Sequence, residues 1–422
     1  MRFIHVADVH LGYQQYNLPD RFDDFGLAFE RAIQYGVKHH VDAVLIAGDL
    51  FNKATLEPLA FIQAADTLGQ ARQAGIPVIA VEGNHDQARW RDQASWMEVL
   101  AHEGYLTLLN PDAKREELSF TPWDGSGGGY LDIGNVRIFG LPWLGAAAAP
   151  LMTNIAGGIR TVPNPDGKTT VLLTHAGVEG EMPQVPGCLT YAQLEPLRHC
   201  VDYLALGHLH KQFARDGWAH NPGSLEVCGM NERNWDKGLY DVTVGDTGTI
   251  TARHVKLPYR PFHSETFPVD TYASPSELLR TLGDALQGWK RNWRIDGQKP
   301  VVEIRLTGVL QFEYSDLDRE TMKALIKAKV GSLHEEIDTT KLKLRGLDLA
   351  EAEIASPEDL ERSVLRAFAE SHSRYAPCAD AWASVMLEVK KLALTDTSPE
   401  AILATLQTRI DGFDAEAADG NH

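Results

Sequence analysis

Short apolar runs recur through the first half of the chain, and most of them stop on a polar residue. "RFIHVAD" (2–8), "AVLIAGD" (43–49), "IPVIAVE" (76–82), "VRIFGL" (136–141), "TVLLTH" (170–175) and "YLALGH" (203–208) predict strands, and "AVLIAGD" is apolar enough to be buried on both faces. Helical patterns lie between the first three. Phe25, Phe29, Ala32 and Ile33 fall on one face of a helix predicted from about Arg21 to His39, and a second helix runs from about Pro58 to Ala74. Alternation of this kind predicts a layered α/β domain. "DGSGGGY" (124–130) reads as a turn, while "GAAAAP" (145–150) and "PNPDG" (163–167) bracket a loop region.

The second half changes rhythm. "HSETFPV" (263–269), "PVVEIRLTG" (300–308) and "TKLKLRGL" (340–347) are strand-like, and "SPSELLRTLGDAL" (274–286) and "SDLDRETMKALIKAKV" (315–330) are helical. That β-α-β-α-β order predicts a small α+β domain. From about residue 356 the pattern is helical: "SPEDLERSVLRAFAE" and "SPEAILATLQTRI" each open on a capping Ser followed by Pro. Ile402, Leu403, Leu406 and Ile410 form an apolar stripe on the second of these. The predicted division is therefore 1–262, 263–350 and a helical tail over 351–422.

Polar residues of the first half collect at the carboxyl ends of strands, where layered α/β folds place their sites. Asp8 and His10 end the first strand, Asp49 the second, and Asn84, His85 and Asp86 the third. His175 ends "TVLLTH", and His208 and His210 follow "YLALG". Glycines precede Asp49, Asn84 and His208 and let the chain turn sharply there. His5, inside the first strand, reads as a packed core histidine.

Composition narrows the chemistry. The chain has 422 residues, 44% hydrophobic and 23% charged, enough for two or three domains with real cores. No apolar run approaches the roughly 18 residues of a membrane span. "MRFIHVADVH" has no long apolar h-region and does not read as a signal peptide. The four cysteines form no CxxC pair, which fits a reducing cytoplasm and argues against a zinc knuckle. A net charge of −18 counts against a non-specific nucleic-acid binder, so any anion must be held locally.

Mixed imidazole and carboxylate suit manganese, iron or zinc rather than calcium. Asp8, His10, Asp49, Asn84, His175, His208 and His210 are too many for one tetrahedral ion. They suit two ions sharing a carboxylate, the arrangement that clamps the attacking and leaving oxygens of a phosphate ester. Asn84 would offer its amide oxygen, His85 would point past the metals toward substrate, and Asp86 would hold the His85 imidazole and favour its protonated form. D-x-H alone is common at surfaces. The ordered series D-x-H, GD, GNHD, an apolar run ending in His, and GHLH is what points to a site.

Those five blocks resemble the calcineurin-like metallophosphoesterases. "DVHLGYQQYNLPDRFDDFGLAFERAI", "GDLF", "LLTHAGVEG", "YLALGHLHK" and "NPGSLE" (221–226) are similar to the SbcD/Mre-eleven nucleases of DNA break repair. The likeness covers roughly residues 1 to 260 and, more loosely, continues to about 350. It implies a layered β-sandwich flanked by helices, a capping domain beside the cleft, and a manganese-dependent nuclease in which magnesium or other divalent ions can substitute. It further implies that Asp8, His10 and His210 hold one ion and Asn84, His175 and His208 the other, with Asp49 bridging. His85 resembles the family's catalytic histidine. Many relatives carry a histidine three residues after the bridging Asp, linked to exonuclease activity; here that residue is Asn52. An aromatic residue often precedes PGS, and here Asn221 takes that place.

The resemblance also implies a homodimer, a DNA substrate, an SbcC-type coiled-coil ATPase bound by the tail, and a cytoplasmic, nucleoid-associated setting without membrane. "WKRNWR" (289–294) interleaves aromatics with bases and could stack on nucleic acid; a solvated helix end with Trp anchors accounts for it equally. Two rivals stand beside the nuclease: a phosphatase or small-molecule phosphodiesterase on the same metal core, and a mainly structural clamp subunit.

Overall fold

The computed structural model of the protein describes residues 1–88, 93–114, 117–182, 188–295, 297–343, 357–370, 375–395 and 398–419. Its contacts divide the chain into two units, Met1–Arg260 and Pro261–His422. Among the described residues, no helix is long and apolar enough to cross a membrane.

In the first unit, alternation within each strand sends side chains to two different cores. Ile4, Val6, Val44, Ile46, Val78 and Ala80 face outward and pack on Ala28, Phe29, Ala32 and Ile33 of the helix Pro19–Lys38. Phe3, Leu45 and Ile79 face the other way and meet Ile138, Val171, Leu173 and Ala205 of a second sheet. That second sheet turns Phe139, Leu172, Leu204 and Leu206 outward against Met152, Ile155, Ala156 and Ile159 of the helix Ala148–Thr161. The result is helix, sheet, sheet, helix. Each fully buried Leu, Ile or Phe contributes about 1.5–3 kcal/mol relative to exposure, so both strand faces are worth keeping apolar.

The first sheet runs in the order Ile250–Lys256, Gly238–Val244, Arg2–Val6, Ala43–Ala47, Val78–Val81, Thr107–Leu108. Its last four strands are parallel, with Phe3 opposite Ala43 and Val44 opposite Val78. The second runs Phe213–Arg215, Ala219–Asn221, Tyr203–Gly207, Thr169–His175, Val136–Leu141, Tyr130–Ile133. Its central strands are parallel too, with Gly207 level with His175. Parallel strands put their carboxyl ends on one side, and that brings the predicted polar residues together.

The layered α/β expectation holds, with one local correction. The loop placed between "GAAAAP" and "PNPDG" is the helix Ala148–Thr161, which covers the second sheet. Met152, Ile155, Ala156 and Ile159 have helical spacing; Gly157 and Gly158 within the segment weaken its local preference, and packing overrides that.

The second unit contains three parallel strands in sequence order, Phe262–Pro268, Val301–Val309 and His334–Lys343. Helices Pro275–Lys290 and Arg319–Val330 cover them through Leu278, Leu282, Leu286, Met322 and Ile326. Of the predicted last strand, residues 344–347 lie outside the described residues, as does the capping Ser356. Trp293 stacks on His263 with ring centroids 4.6 Å apart, and its indole N–H donates to Glu265 at 2.8 Å. Trp289 meets Phe267 edge-on. Both tryptophans thus anchor the helix end. The tail holds a helix that the sequence reading lacked, Ala379–Ala393, between Pro357–Glu370 and Pro399–Asp419.

Asp241 ties the first sheet's edge together. Its carboxylate accepts Arg2 Nε at 2.9 Å and Nη2 at 2.6 Å, and the Tyr35 hydroxyl at 2.7 Å. Those donors, Arg2 first, hold its carboxyl down to about 2. A depressed carboxyl stabilises the fold when ionised, so its contribution is complete above the ordinary Asp range and disappears as pH falls through about 2. Asp241→Asn should therefore be less stable than the parent at pH 7 in urea denaturation, with the gap closing toward pH 2. A gap independent of pH would refute the charge-based account.

Candidate metal centre

The strand ends deliver their side chains through unusual backbone. Asp8, His10, Asp49 and His208 have φ of 51°, 54°, 52° and 86°, the left-handed region that residues with a Cβ seldom adopt. Main-chain hydrogen bonds hold these turns. Asp8 N–H donates to the Gly48 carbonyl at 3.2 Å, and Val9 and His10 N–H donate to the Asp49 carbonyl at 2.9 and 3.1 Å. Of the three glycines expected to make sharp turns, Gly48 does so, with φ of 81°. The other two serve close approach instead. A Cβ on Gly83 would sit 2.4 Å from the Asp49 backbone nitrogen, and one on Gly207 would sit 2.1 Å from the Ala47 carbonyl oxygen.

The seven predicted donors come together in two knots. His10 Nε2 lies 3.0 Å from His210 Nε2. Asn84 Oδ1 lies 3.1 Å from both His175 Nε2 and His208 Nδ1, and those two nitrogens are 3.3 Å apart. Asp49 Oδ2 is 3.3 Å from His175 Nε2. The Asp8 carboxylate, fully buried, accepts the His208 N–H at 3.1 Å through each oxygen.

Tautomers make this arrangement costly unless a cation lies within it. His175 Nδ1 sits 2.7 Å from the Ala47 carbonyl, which can only accept, so the proton is on Nδ1 and neutral Nε2 presents a lone pair. That lone pair faces oxygens of Asn84 and Asp49. His210 repeats the Nδ1 contact, donating to Glu232 Oε1 at 2.7 Å, with Nε2 toward His10; despite burial, Cys228 and Glu232 hold this ring well above the ordinary histidine range, so it too carries a proton where a cation would bind. Oxygen and nitrogen lone pairs aimed at one another repel, and a divalent cation turns the repulsion into coordination. The donor set therefore fits divalent metal ions. Acidity carries the same message. Burial alone lowers a histidine, yet Asp49 raises His175 to about 9, so the metal-free site takes up a proton where a cation would sit. Burial and the neighbouring histidines push His10 down to about 3 and His208 down to about 4. The Asp49 carboxyl, despite burial, is held well below its ordinary range by His175 and the other imidazoles.

His85 sits at the edge of these knots, with one ligand atom each of His85, His10 and Asp49 within 4.8 Å of the other two. Its side chain is 42% exposed, and Nε2 is 4.0 Å from Asp49 Oδ2. Nδ1 lies 2.6 Å from the Asn52 carbonyl, which fixes the proton there and leaves Nε2 toward the open side.

Asp86 corrects the sequence reading. It does not hold the His85 imidazole. Its carboxylate points back into the protein and accepts the N–H groups of Leu50 at 3.2 Å, Phe51 at 2.9 Å and Gly83 at 2.9 Å. Burial and nearby Asp49 push its carboxyl up to about 7, against the pull of those donors. Its work is to pin the turn after the second strand to the turn after the third.

Three supports went unread in the sequence. Glu232 accepts from His210 and, at 2.6 Å, from Lys237 Nζ, a lysine with no exposed surface. Asn221, in the place before PGS, donates from Nδ2 to the carbonyls of Leu209 and Lys211 at 2.5 and 3.1 Å and so braces the GHLH turn. Arg21, also fully buried, binds Asp24 at 2.6 Å and Glu226 at 3.3 Å, joining the first helix to the "NPGSLE" loop. A helix-start Arg was visible in the sequence, but its partner 205 positions away was not.

A family model described as calcineurin-like phosphoesterase matches residues 1–212, and the chain belongs to that family. It is similar to the DNA double-strand break repair protein Mre11 of Archaeoglobus fulgidus, with 33% identity over 55% of this chain and 52% of that one. The Mre11 protein of Aeropyrum pernix matches at 32% over 62% of each chain, and that of Saccharolobus solfataricus at 24% over 73% and 75%. The chain thus spans little more than half the length of the first two relatives.

Two outcomes follow from this geometry. Because His175 is protonated below about 9 without a cation, metal binding at pH 7 should release a proton that binding at pH 10 does not. Calorimetry in buffers of different ionisation enthalpy reads that difference, and equal release at both values would refute it. Asp86→Asn can keep the Leu50 and Gly83 donors on its amide oxygen but turns its N–H₂ toward the buried Phe51 N–H, and a loss of roughly 1–3 kcal/mol in urea unfolding is expected. An unchanged midpoint would return Asp86 to a role outside the fold's framework.

Proposed function

We propose that this chain is a manganese-dependent DNA nuclease of break repair that hydrolyses phosphodiesters with two ions. The observation that carries it is the pair of donor knots, His10–His210 and Asn84–His175–His208, flanked by Asp8 and Asp49. Asp8, His10 and His210 would hold one ion, Asn84, His175 and His208 the other, with Asp49 shared. Bound ions supply Lewis-acid charge and an activated water at neutral pH. The protein's own residues do the rest. Asn52 keeps the His85 proton on Nδ1, and in its protonated form the ring can give the Nε2 proton to a leaving oxygen on the open side. Glu232 and Ala47 fix the tautomers of His210 and His175.

The names of the similar archaeal proteins support DNA as substrate over a small phosphate ester. The same reading takes in a homodimer and an SbcC-type coiled-coil ATPase partner, in a cytoplasmic, nucleoid-associated setting. Residues 263–350 would serve as the capping, DNA-positioning part. Phe368, Leu394 and Leu403, exposed by 57%, 76% and 64%, give the tail an apolar surface for the ATPase.

Hydrolysis of linear duplex and single-stranded DNA, compared with cyclic nucleotides and p-nitrophenyl phosphate in manganese and then magnesium, tests the substrate. DNA cleavage well above the small esters is expected; the reverse ranking identifies a phosphatase, and no turnover on any of them a clamp subunit. Asp49→Asn should deplete both ions, since it is shared. His85→Asn should keep two bound ions and lose turnover by roughly 10²–10⁴-fold, the range for a lost general acid. Falling metal content in His85→Asn would make His85 a ligand. With a charge of −18, DNA binding by the chain alone should be weak with a shallow salt slope, since slope scales with phosphates neutralised by side chains. The partner should raise it, and deleting the tail from Pro357 should abolish that gain while small-ester cleavage persists.

A further inference from the structure

Cys228 lies beside His10 and His210, and one ligand atom from each of the three falls within 4.8 Å of the other two. The metal-centre reading gives both imidazoles a role and the thiol none. The fold nonetheless fixes the cysteine against them. Its N–H donates to Glu232 Oε2 at 3.0 Å, while Glu232 Oε1 receives the His210 Nδ1 proton at 2.7 Å. One buried carboxylate thus sets the positions of both. Gln15 Nε2 donates to the Cys228 carbonyl at 3.0 Å. The thiol makes a weak contact with the Glu226 carbonyl at 3.7 Å and a side-chain hydrogen bond with His210, which places the sulfur against that imidazole.

His10 adds a second, independent observation. The residue is 3% exposed, and its Nδ1 has no hydrogen-bond partner. Its Nε2 lies 3.0 Å from His210 Nε2. A cation between the two imidazoles would take both rings as ligands, and the sulfur lies within 4.8 Å of a nitrogen of each.

We propose that Cys228 is a further ligand to the ion held by Asp8, His10 and His210, and that it biases this position toward zinc over manganese; this rests on the dimetal reading above. Thiolate is a soft donor that selects zinc, whereas carboxylate and water suit manganese and magnesium. As the sulfur–metal bond forms, the thiol proton passes to solvent, and no electrons change hands. The second ion position, built from Asn84, His175 and His208, has no such sulfur among the described residues and keeps its preference for harder ions.

Cobalt tests this without relying on turnover. Metal-free full-length chain loaded with Co²⁺ should show a near-ultraviolet thiolate-to-cobalt charge-transfer band that Cys228→Ser lacks. In a parallel measurement on the unaltered chain, Zn²⁺ should protect Cys228 from iodoacetamide while Cys188, Cys200 and Cys378, also half-buried, remain as internal references. Zinc retention against competing manganese should fall in Cys228→Ser by at least the roughly 10-fold typical of losing an outer-sphere partner. Two bound ions by elemental analysis, with no band and no protection, would overturn the role of Cys228 and leave the dimetal centre standing. No bound ion in the unaltered chain would overturn both.

Discussion

Nitrogen and oxygen ligand atoms crowded to 3.0–3.3 Å of one another are the constraint on which the first unit depends. Nothing in a strand or helix favours such a meeting. It is reached through left-handed backbone at Asp8, His10, Asp49 and His208, each costing of the order of 1–3 kcal/mol. The two sheets sustain it because they are bonded to each other at this end. His175 of the second sheet reaches the Ala47 carbonyl of the first, and the His208 N–H reaches the Asp8 carboxylate. Gly207 lets the sheets approach closely enough for both contacts. The strained turns therefore cannot relax one at a time, and a bound cation repays the set together.

The strands and the ligand set were legible because both obey local rules. Apolar runs buried on two faces look alike wherever they occur, and a polar residue ending such a run has few reasons to be there. What the sequence hid was direction. Asp86 follows His85, and adjacency suggested that it served the imidazole; the turn sends its carboxylate inward to three main-chain donors instead. Asn52 was singled out for a side chain it lacks, while its carbonyl is what orients His85. Glu232 and Lys237 belong to no motif, and their burial comes from contacts that no spacing rule reveals. The helix Ala148–Thr161 was missed for a different reason, since paired glycines lowered its local preference while the second sheet supplied the packing that decides it.

Formal charge was the least informative number. A total of −18 argues against polyanion binding, yet acidic groups at the centre face inward and are matched there. Asp8 and Asp49 meet imidazoles, Glu232 meets Lys237, and Asp24 and Glu226 meet Arg21. A field summed over the surface says little about a site whose charges are buried and whose cations, when bound, would add positive charge of their own.

Buried ion pairs seldom raise stability, because desolvation offsets most of their attraction. Arg21 and Lys237 have no exposed surface, so stability is a weak reason for them. Position is a better one. Arg21 grips Glu226 and the Val227 carbonyl at 2.8 Å, Gln15 grips the Cys228 carbonyl, and Lys237 grips Ser224 at 2.7 Å together with Glu232. The loop from Ser224 to Glu232 is thus held at successive residues by groups that donate in fixed directions. Glu232 can then orient His210 through a directional hydrogen bond, which a hydrophobic contact of equal strength could not do. An apolar replacement of this network would keep the fold and lose the direction of the imidazole, and it is the direction that the chemistry uses.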